Sequence, residues 1–363
     1  MDISQRLSEY LLPFFSLSSP TSAPTNSDSF PNSQHYKTDP KDLCLVITII
    51  AVYAVLRDAL RLGVFEPFAR WKLTRDLLFE RKQHAGKSNG NARVSSNGNG
   101  HSNPVVVFTK AERRKVHRSV LRFAEQGWSV VYYTLQWGFG LYIYKNLPTK
   151  VLDPVDAWIG YPHIALAAPV KIYYLSQLAF YLHQMLILNA EARRKDHVQM
   201  MTHHVITVFL MWASYYYNLT RIGCLIMLLM DLCDIFLPLA KMLRYLNLPQ
   251  IYPDFTFGTF MVTWFVTRHV LFPIAIQSTI FDMARLLPFD WDPERGHYHT
   301  RGSHAMFCIC LLALEVIQMI WFAMIVRVAW RVATGKGATD VRSDEEGFES
   351  SFFLSCVLLT AIL

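Results

Sequence analysis

Apolar residues in this chain gather into blocks of about 20 residues instead of stripes, and a block that long with no polar face crosses a bilayer as a helix. The first block opens a segment at 41–65. Others lie near 127–145, 164–188, 198–217, 221–243, 255–281 and 304–330, joined by short connections. The pattern predicts an all-α polytopic membrane protein, a bundle of about seven transmembrane helices. Composition agrees: the chain is 52% hydrophobic and 17% charged, where soluble domains carry about a quarter charged residues. The net charge of +7 does not read as a nucleic-acid surface, because the basic residues flank the blocks in 66–122, 193–195, 241–244 and 327–342. Such clustering is the positive-inside signature, and it predicts a luminal N-terminus and a cytosolic C-terminus.

Between and beyond the blocks the chain is polar. Residues 1–40 are rich in Ser, Pro, Thr and Asn and are expected to be a disordered tail, with no cleaved signal peptide. Arg57, Asp58 and Arg61, near the end of the first span, are expected to pair with one another or lie at the interface. The basic segment 66–122 holds a Gly/Asn/Ser linker, GKSNGNARVSSNGNGHSNP, and then KAERRKVHRSVLRF, which reads as a basic amphipathic helix on an anionic membrane surface or as a solvated helix. Residues 123–332 form the polytopic domain. The tail 333–363 runs from acidic VRSDEEGFESS into FFLSCVLLTAIL, too short to span comfortably. The sequon Asn218-Leu219-Thr220 lies too close to the membrane to read as a glycan acceptor. Cys44, Cys224, Cys233, Cys308, Cys310 and Cys356 form no C-x-x-C pair and read as packing residues or free thiols.

Four ionisable residues lie within this apolar sequence. His203 and His204 sit in one block, Asp231 and Asp234 in the next. Each costs roughly 2.5–3.5 kcal/mol at a bilayer centre, so such residues are rare there and functional by default. Asp231 and Asp234 share a helix face, whereas consecutive histidines point about 100° apart. A short turn between the blocks makes antiparallel neighbours the expectation. At roughly 1.5 Å per residue from Asp196 and Lys241, both groups reach a similar depth, about 10 Å inside the basic boundary. A His–Asp hydrogen bond there would orient the imidazole and raise its basicity. The structural alternative, helix-to-helix hydrogen bonding alone, is worth well under about 2 kcal/mol per contact. Gln177, His183, Gln184, Arg268, His269, Glu315 and Gln318 extend the polar interior to other spans. No metal is expected: di-iron lipid oxidases need repeated H-x-x-x-H spacings, this chain has one adjacent pair, and a His2Asp2 zinc site is conceivable but not favoured. No repeat of broken helices points to a transporter.

At these residues the chain resembles the ceramide synthases, the longevity-assurance family of TLC-domain membrane proteins. The resemblance rests on Arg194-Lys195-Asp196, the His203–His204 pair, the D-x-x-D of Asp231 and Asp234, KMLRYLN, FAEQGW at Phe123–Trp128 and YYLSQLAFYLHQ at Tyr173–Gln184. It implies a six-helix TLC core within 123–332 and an endoplasmic reticulum enzyme that transfers a fatty acyl group from acyl-CoA to dihydrosphingosine or phytosphingosine. It implies that His203, His204, Asp231 and Asp234 are essential, one histidine acting as general base or acyl-accepting nucleophile. Arg193, Arg194 and Lys195 are expected to hold the CoA phosphates, and His183, Gln184, Arg268 and His269 to line the substrate site. Acyl-CoA is a co-substrate, and no cofactor is expected. No homeobox-like segment follows the first span, so the organisation resembles a fungal member. That implies a homo- or heterodimer and a small single-span subunit as partners, and ties chain-length choice to the loop at 282–303. The competing reading is a non-catalytic TLC protein that binds or senses lipid.

Overall fold

The computed structural model describes residues 10–24, 29–89, 109–190 and 196–334. Helix dominates, as backbone hydrogen-bond closure in apolar sequence requires. In chain order the helices are α1 (Asp42–Leu60), a π-helical turn (Arg61–Phe65), α2 (Glu66–Asn89), α3 (Lys110–Asn146), α4 (Ala168–Ala190), α5 (His197–Tyr216), α6 (Thr220–Tyr245), α7 (Ile251–Trp264), a second π-helical turn (Phe265–Leu271), α8 (Phe272–Leu286) and α9 (Arg301–Ala333). Four helical runs among the described residues are long and apolar enough to cross a membrane: Asp42–Arg81, Thr220–Tyr245, Ile251–Leu286 and Arg301–Arg331. Two compact units divide the chain, residues 1–54, 134–233 and 261–363 in the first, 55–133 and 234–260 in the second.

The first unit carries the larger core. Leu210 and Ala213 of α5, Leu225 and Leu229 of α6, Phe272 and Ile276 of α8, and Leu311 and Leu314 of α9 are buried together. Helix α4 packs along α5, and α9 packs along α5 and α8. Gly140 of α3 lets that helix approach α4: a Cβ there would lie 2.6 Å from Tyr173 Oη. Thr300 starts α9 reciprocally, its Oγ1 accepting from the Ser303 amide (3.1 Å) while Ser303 Oγ accepts from the Thr300 amide (2.8 Å), which satisfies two amides left over at the helix start. The sequon is spent structurally. Asn218 is buried, and its Nδ2 donates to the carbonyl of Gly296 at 3.0 Å, where a positive φ of 73° suits glycine. Cys44, Cys224, Cys233, Cys308 and Cys310 are free thiols.

The expected disordered tail is ordered over much of its described length. Strands β1 (Pro20–Thr21) and β2 (His35–Tyr36) pair antiparallel, and β2 pairs with β3 (Leu166–Ala167). The cause is a buried ion pair that composition does not reveal: Lys171 Nζ lies 2.8 Å from Asp42 Oδ1 and donates to the carbonyls of Ser18 (2.9 Å) and Lys37 (2.7 Å). A buried ammonium must satisfy its protons, and the tail supplies two of the acceptors.

The second unit packs Ala69 and Leu73 of α2 against Val120 and Phe123 of α3 and Leu246 beyond α6. Arg61 pairs with Glu66 (3.6 Å) across the first π-helical turn, where the sequence had suggested Asp58 as a partner. KAERRKVHRSVLRF is not a separate surface helix. It forms the first turns of α3, which runs unbroken to Asn146 because no proline interrupts it. A capping box starts α3: Thr109 Oγ1 accepts from the Glu112 amide (3.3 Å), and Glu112 Oε2 accepts from the Thr109 amide (2.8 Å). Arg81 Nη2 donates to both Glu112 oxygens (2.9 and 2.7 Å) and holds that carboxyl down to about 2. Most of the Gly/Asn/Ser linker, and the C-terminal tail with its apolar end, lie outside the described residues.

Candidate active site

Helix α4 is the scaffold of the site. Tyr173, Gln177 and Tyr181 recur every fourth residue and so share one face, adjacent side chains roughly 6 Å apart. All three are buried. Gln177 Nε2 donates to the Asp231 carboxylate of α6 and lies 3.3 Å from Tyr173 Oη. One turn along, the Tyr181 ring meets the His204 ring of α5 at 5.7 Å between centroids. Adjacent turns of α4 thereby position Asp231 and His204. Of the four ionisable residues, these two are the most deeply buried.

A backbone carbonyl sets the chemistry of His204. Its Nδ1 lies 2.7 Å from Met200 O, one helical turn back. A carbonyl only accepts, so Nδ1 carries the hydrogen and Nε2 holds the lone pair of the neutral ring. The sequence had suggested an aspartate as the orienting partner; the Met200 carbonyl fixes the Nδ1 side of the ring. His203 points elsewhere, as a 100° offset demands. Its ring packs against Trp321 of α9 at 5.1 Å, and its Nδ1 has no hydrogen-bond partner among the described residues. Asp234 lies one turn beyond Asp231, half-buried, in the second unit.

Other polar residues singled out in the sequence divide by their contacts. Arg268, in the second π-helical turn, donates to Met230 O (2.9 Å) and Cys233 Sγ and covers the Trp264 ring at 4.2 Å. The guanidinium thus braces the stretch of α6 that carries Asp231. His269 turns to α9, its Nδ1 2.9 Å from Glu315 Oε1. His183 is buried and Gln184 half-buried, just past Tyr181 on α4. Arg193, Arg194 and Lys195 lie outside the described residues. Tyr173, Tyr181 and Trp321 read as packing aromatics by composition. The four-residue spacing of both tyrosines from Gln177 is the signal that could have marked them. Among the described residues no three His, Cys, Asp or Glu side chains gather closely enough to hold a metal ion.

The loop between α8 and α9 is built around His299. That residue is buried, stacks on Phe289 at 4.6 Å, and has Nδ1 3.2 Å from Pro288 O. Burial pushes its pKa below the ordinary histidine value. At the loop's outer edge Arg295 holds the Asp292 carboxyl below the usual range.

Together these features define a polytopic helical membrane protein with a buried histidine–aspartate site organised by one helix. The family described as TRAM_LAG1_CLN8, the TLC domain, matches residues 122–327, and the chain belongs to that family. It is 38% identical over 245 residues to sphingosine N-acyltransferase lag1 of Schizosaccharomyces pombe, covering 67% of this chain and 62% of the relative. It is 36% identical over 271 residues to ceramide synthase FUM18 of Gibberella moniliformis, covering 68% and 63%. With ceramide synthase LAG1 of Saccharomyces cerevisiae it shares 30% over 253 residues, covering 68% and 60%. The chain thus spans about three-fifths of the length of these relatives.

Proposed function

We propose that this protein is a ceramide synthase, transferring a fatty acyl group from acyl-CoA to the amine of dihydrosphingosine or phytosphingosine. Relatives named as a sphingosine N-acyltransferase and a ceramide synthase support the reading. The observation that carries it is the buried His204, with Nδ1 committed to Met200 O, one turn of α4 away from a buried aspartate. A sphingoid amine resembles lysine, whose pKa is about 10.4, so it arrives as an ammonium ion. Asp231 and Asp234 attract that cation into the apolar interior. His204 Nε2 removes the proton, the amine nitrogen attacks the thioester carbonyl, and the C–N bond forms as the C–S bond breaks. The imidazolium then gives that proton to the departing CoA thiolate, and the acylated nitrogen sheds its remaining extra proton to water, leaving the amide, the CoA thiol and one released proton. On the covalent variant, Nε2 accepts the acyl group first and the amine displaces it. A fatty-acyl adduct on a histidine peptide after rapid quench with acyl-CoA alone separates the two routes.

On this reading the protein resides in the endoplasmic reticulum membrane, with its N-terminus luminal and its C-terminus cytosolic. Seven spans are its membrane topology. The CoA phosphates lie in the cytosol against Arg193, Arg194 and Lys195. A dimer mate and a small single-span subunit are its partners. The test is direct. Purified protein receives acyl-CoA species of varied length with either base, and products are weighed by mass spectrometry. Accumulation of N-acyl base is expected. No product with any pair would overturn the reading.

A further inference from the structure

Helix α9 packs along α5, which carries the histidine pair, and it carries polar atoms that the fold does not use. Gln318 and Trp321 are one turn apart, 1% and 6% exposed. Trp321 packs against His203 and, at 6.3 Å, against Trp264. Gln318 Nε2 donates one of its two hydrogens to the weak acceptor Met230 Sδ at 3.4 Å, next to Asp231. The buried atoms left without a hydrogen-bond partner among the described residues include Gln318 Oε1, Trp321 Nε1 and His203 Nδ1, grouped by the Trp321–His203 contact and the single turn between Gln318 and Trp321. Buried polar atoms are normally paired, so a group of them left unpaired calls for an explanation, of which a bound group that completes them is one.

The chemistry of the set selects the ligand. Oε1 requires a donor, and the indole N–H requires an acceptor. Phosphate and carboxylate only accept, and an ammonium ion only donates. A hydroxyl does both, and being neutral it enters a membrane interior without the cost of a charge. We propose that Gln318 and Trp321, with His203, form a hydroxyl-recognition subsite that reads the alcohol groups flanking the amine of a long-chain amino-alcohol. This inference rests on the acyl-acceptor reading given above and adds to it the residues that select the acceptor's head group.

The test compares a sphingoid base with its 1-deoxy and 3-deoxy analogues on the full-length purified protein and on Gln318→Met and Trp321→Phe, which keep side-chain bulk. In the wild type, kcat/KM falls about 10- to 100-fold for the analogue lacking the recognised hydroxyl. In the variants the full base loses a similar factor and the deoxy analogue little, so the ratio approaches one while KM for acyl-CoA holds. Equal losses for all three bases would reveal a packing role and overturn the inference, as would a wild type indifferent to the hydroxyls. Thermal-shift titration with the same three bases, without acyl-CoA, separates this inference from the activity. A wild type that turns over nothing yet still binds the hydroxylated base preferentially sinks the ceramide reading and keeps the subsite. Equal shifts from all three bases sink the subsite.

Discussion

The first unit contains two buried polar clusters, and they differ in how completely they are satisfied. At the N-terminal clasp, Lys171 has three acceptors, and Asp42 Oδ2 accepts from Tyr215 Oη (2.7 Å) and the Asp39 amide (2.9 Å). The Lys171 ammonium and the Tyr215 hydroxyl both meet acceptors there, and the cluster fastens the tail and β2 to α4 and α5, while Ser18 Oγ and His35 Nδ1 beside it stay unpaired among the described residues. At the His/Asp site, Asp231 and His204 are anchored, yet His203, Gln318 and Trp321 keep unpaired atoms. Burial and charge alone would rank the clasp first as an active centre. Satisfaction of the charged groups reverses the ranking: a buried ammonium fully paired within the protein reads as architecture, and a set of buried side chains around a histidine pair with atoms left unpaired is the candidate for chemistry.

That contrast can be broken at several points. The largest effect is expected from His204→Ala and Asp231→Ala, which should lower N-acylation by about 10³-fold or more while the protein inserts and melts normally. Near-normal turnover, measured as N-acyl base formed per mole of folded protein, would remove the site. Lys171→Met should do the reverse. It leaves Asp42 buried without its counter-ion, at a cost of about 3–5 kcal/mol in stability, whereas activity per folded molecule persists. A drop in specific activity without a fall in Tm would mean that the clasp takes part in chemistry. Gln177→Leu sharpens the comparison from within the site. It removes a hydrogen bond to a charged group, worth about 1.5–3 kcal/mol, so kcat should drop about 10- to 100-fold with KM for acyl-CoA unchanged.

Two smaller effects depend on pH. His299 is depressed by burial in the folded chain, so the unfolded state binds more protons between the folded value and the ordinary one of about 6.5. Its contribution is present above that ordinary value and lost as the pH falls below it. Amide exchange in the loop at 287–300 should therefore rise, relative to the intrinsic rate, from pH 7.5 to 5.5, and less so in His299→Gln. Equal responses in the two proteins would discharge His299. The smallest effect belongs to Glu112, exposed and held at about 2 by Arg81 and Thr109. Its clamp on α3 is present above the ordinary 4.5 and fades as pH falls toward 2. Exchange at Thr109–Arg114 should show that fading in wild type and not in Glu112→Gln.

Much of the fold could be read from residue order. Each apolar block coincides with a helix, since apolar residues in bulk leave the backbone no other way to close its hydrogen bonds. Asp231 and the histidine pair were marked by their cost in such surroundings. Less legible were features that depend on partners distant in sequence. Lys171 sits in an apolar run like any snorkelling lysine, and only the arrival of Ser18, Lys37 and Asp42 makes it a clasp. The Met200 carbonyl that holds His204 Nδ1 was not legible either, because a backbone carbonyl one turn back leaves no signature in residue identity.

Residue order by itself determined that this chain is helical and membrane-spanning and which ionisable groups it buries, because hydrophobic transfer and backbone satisfaction act locally along a chain. Tertiary structure alone decided which polar atoms find partners. It set Gln177 against Asp231, Tyr181 against His204, and Trp321 against His203. Hydrogen bonds and ring contacts fall off within a few ångströms, and only the packing of separate helices sets distances on that scale.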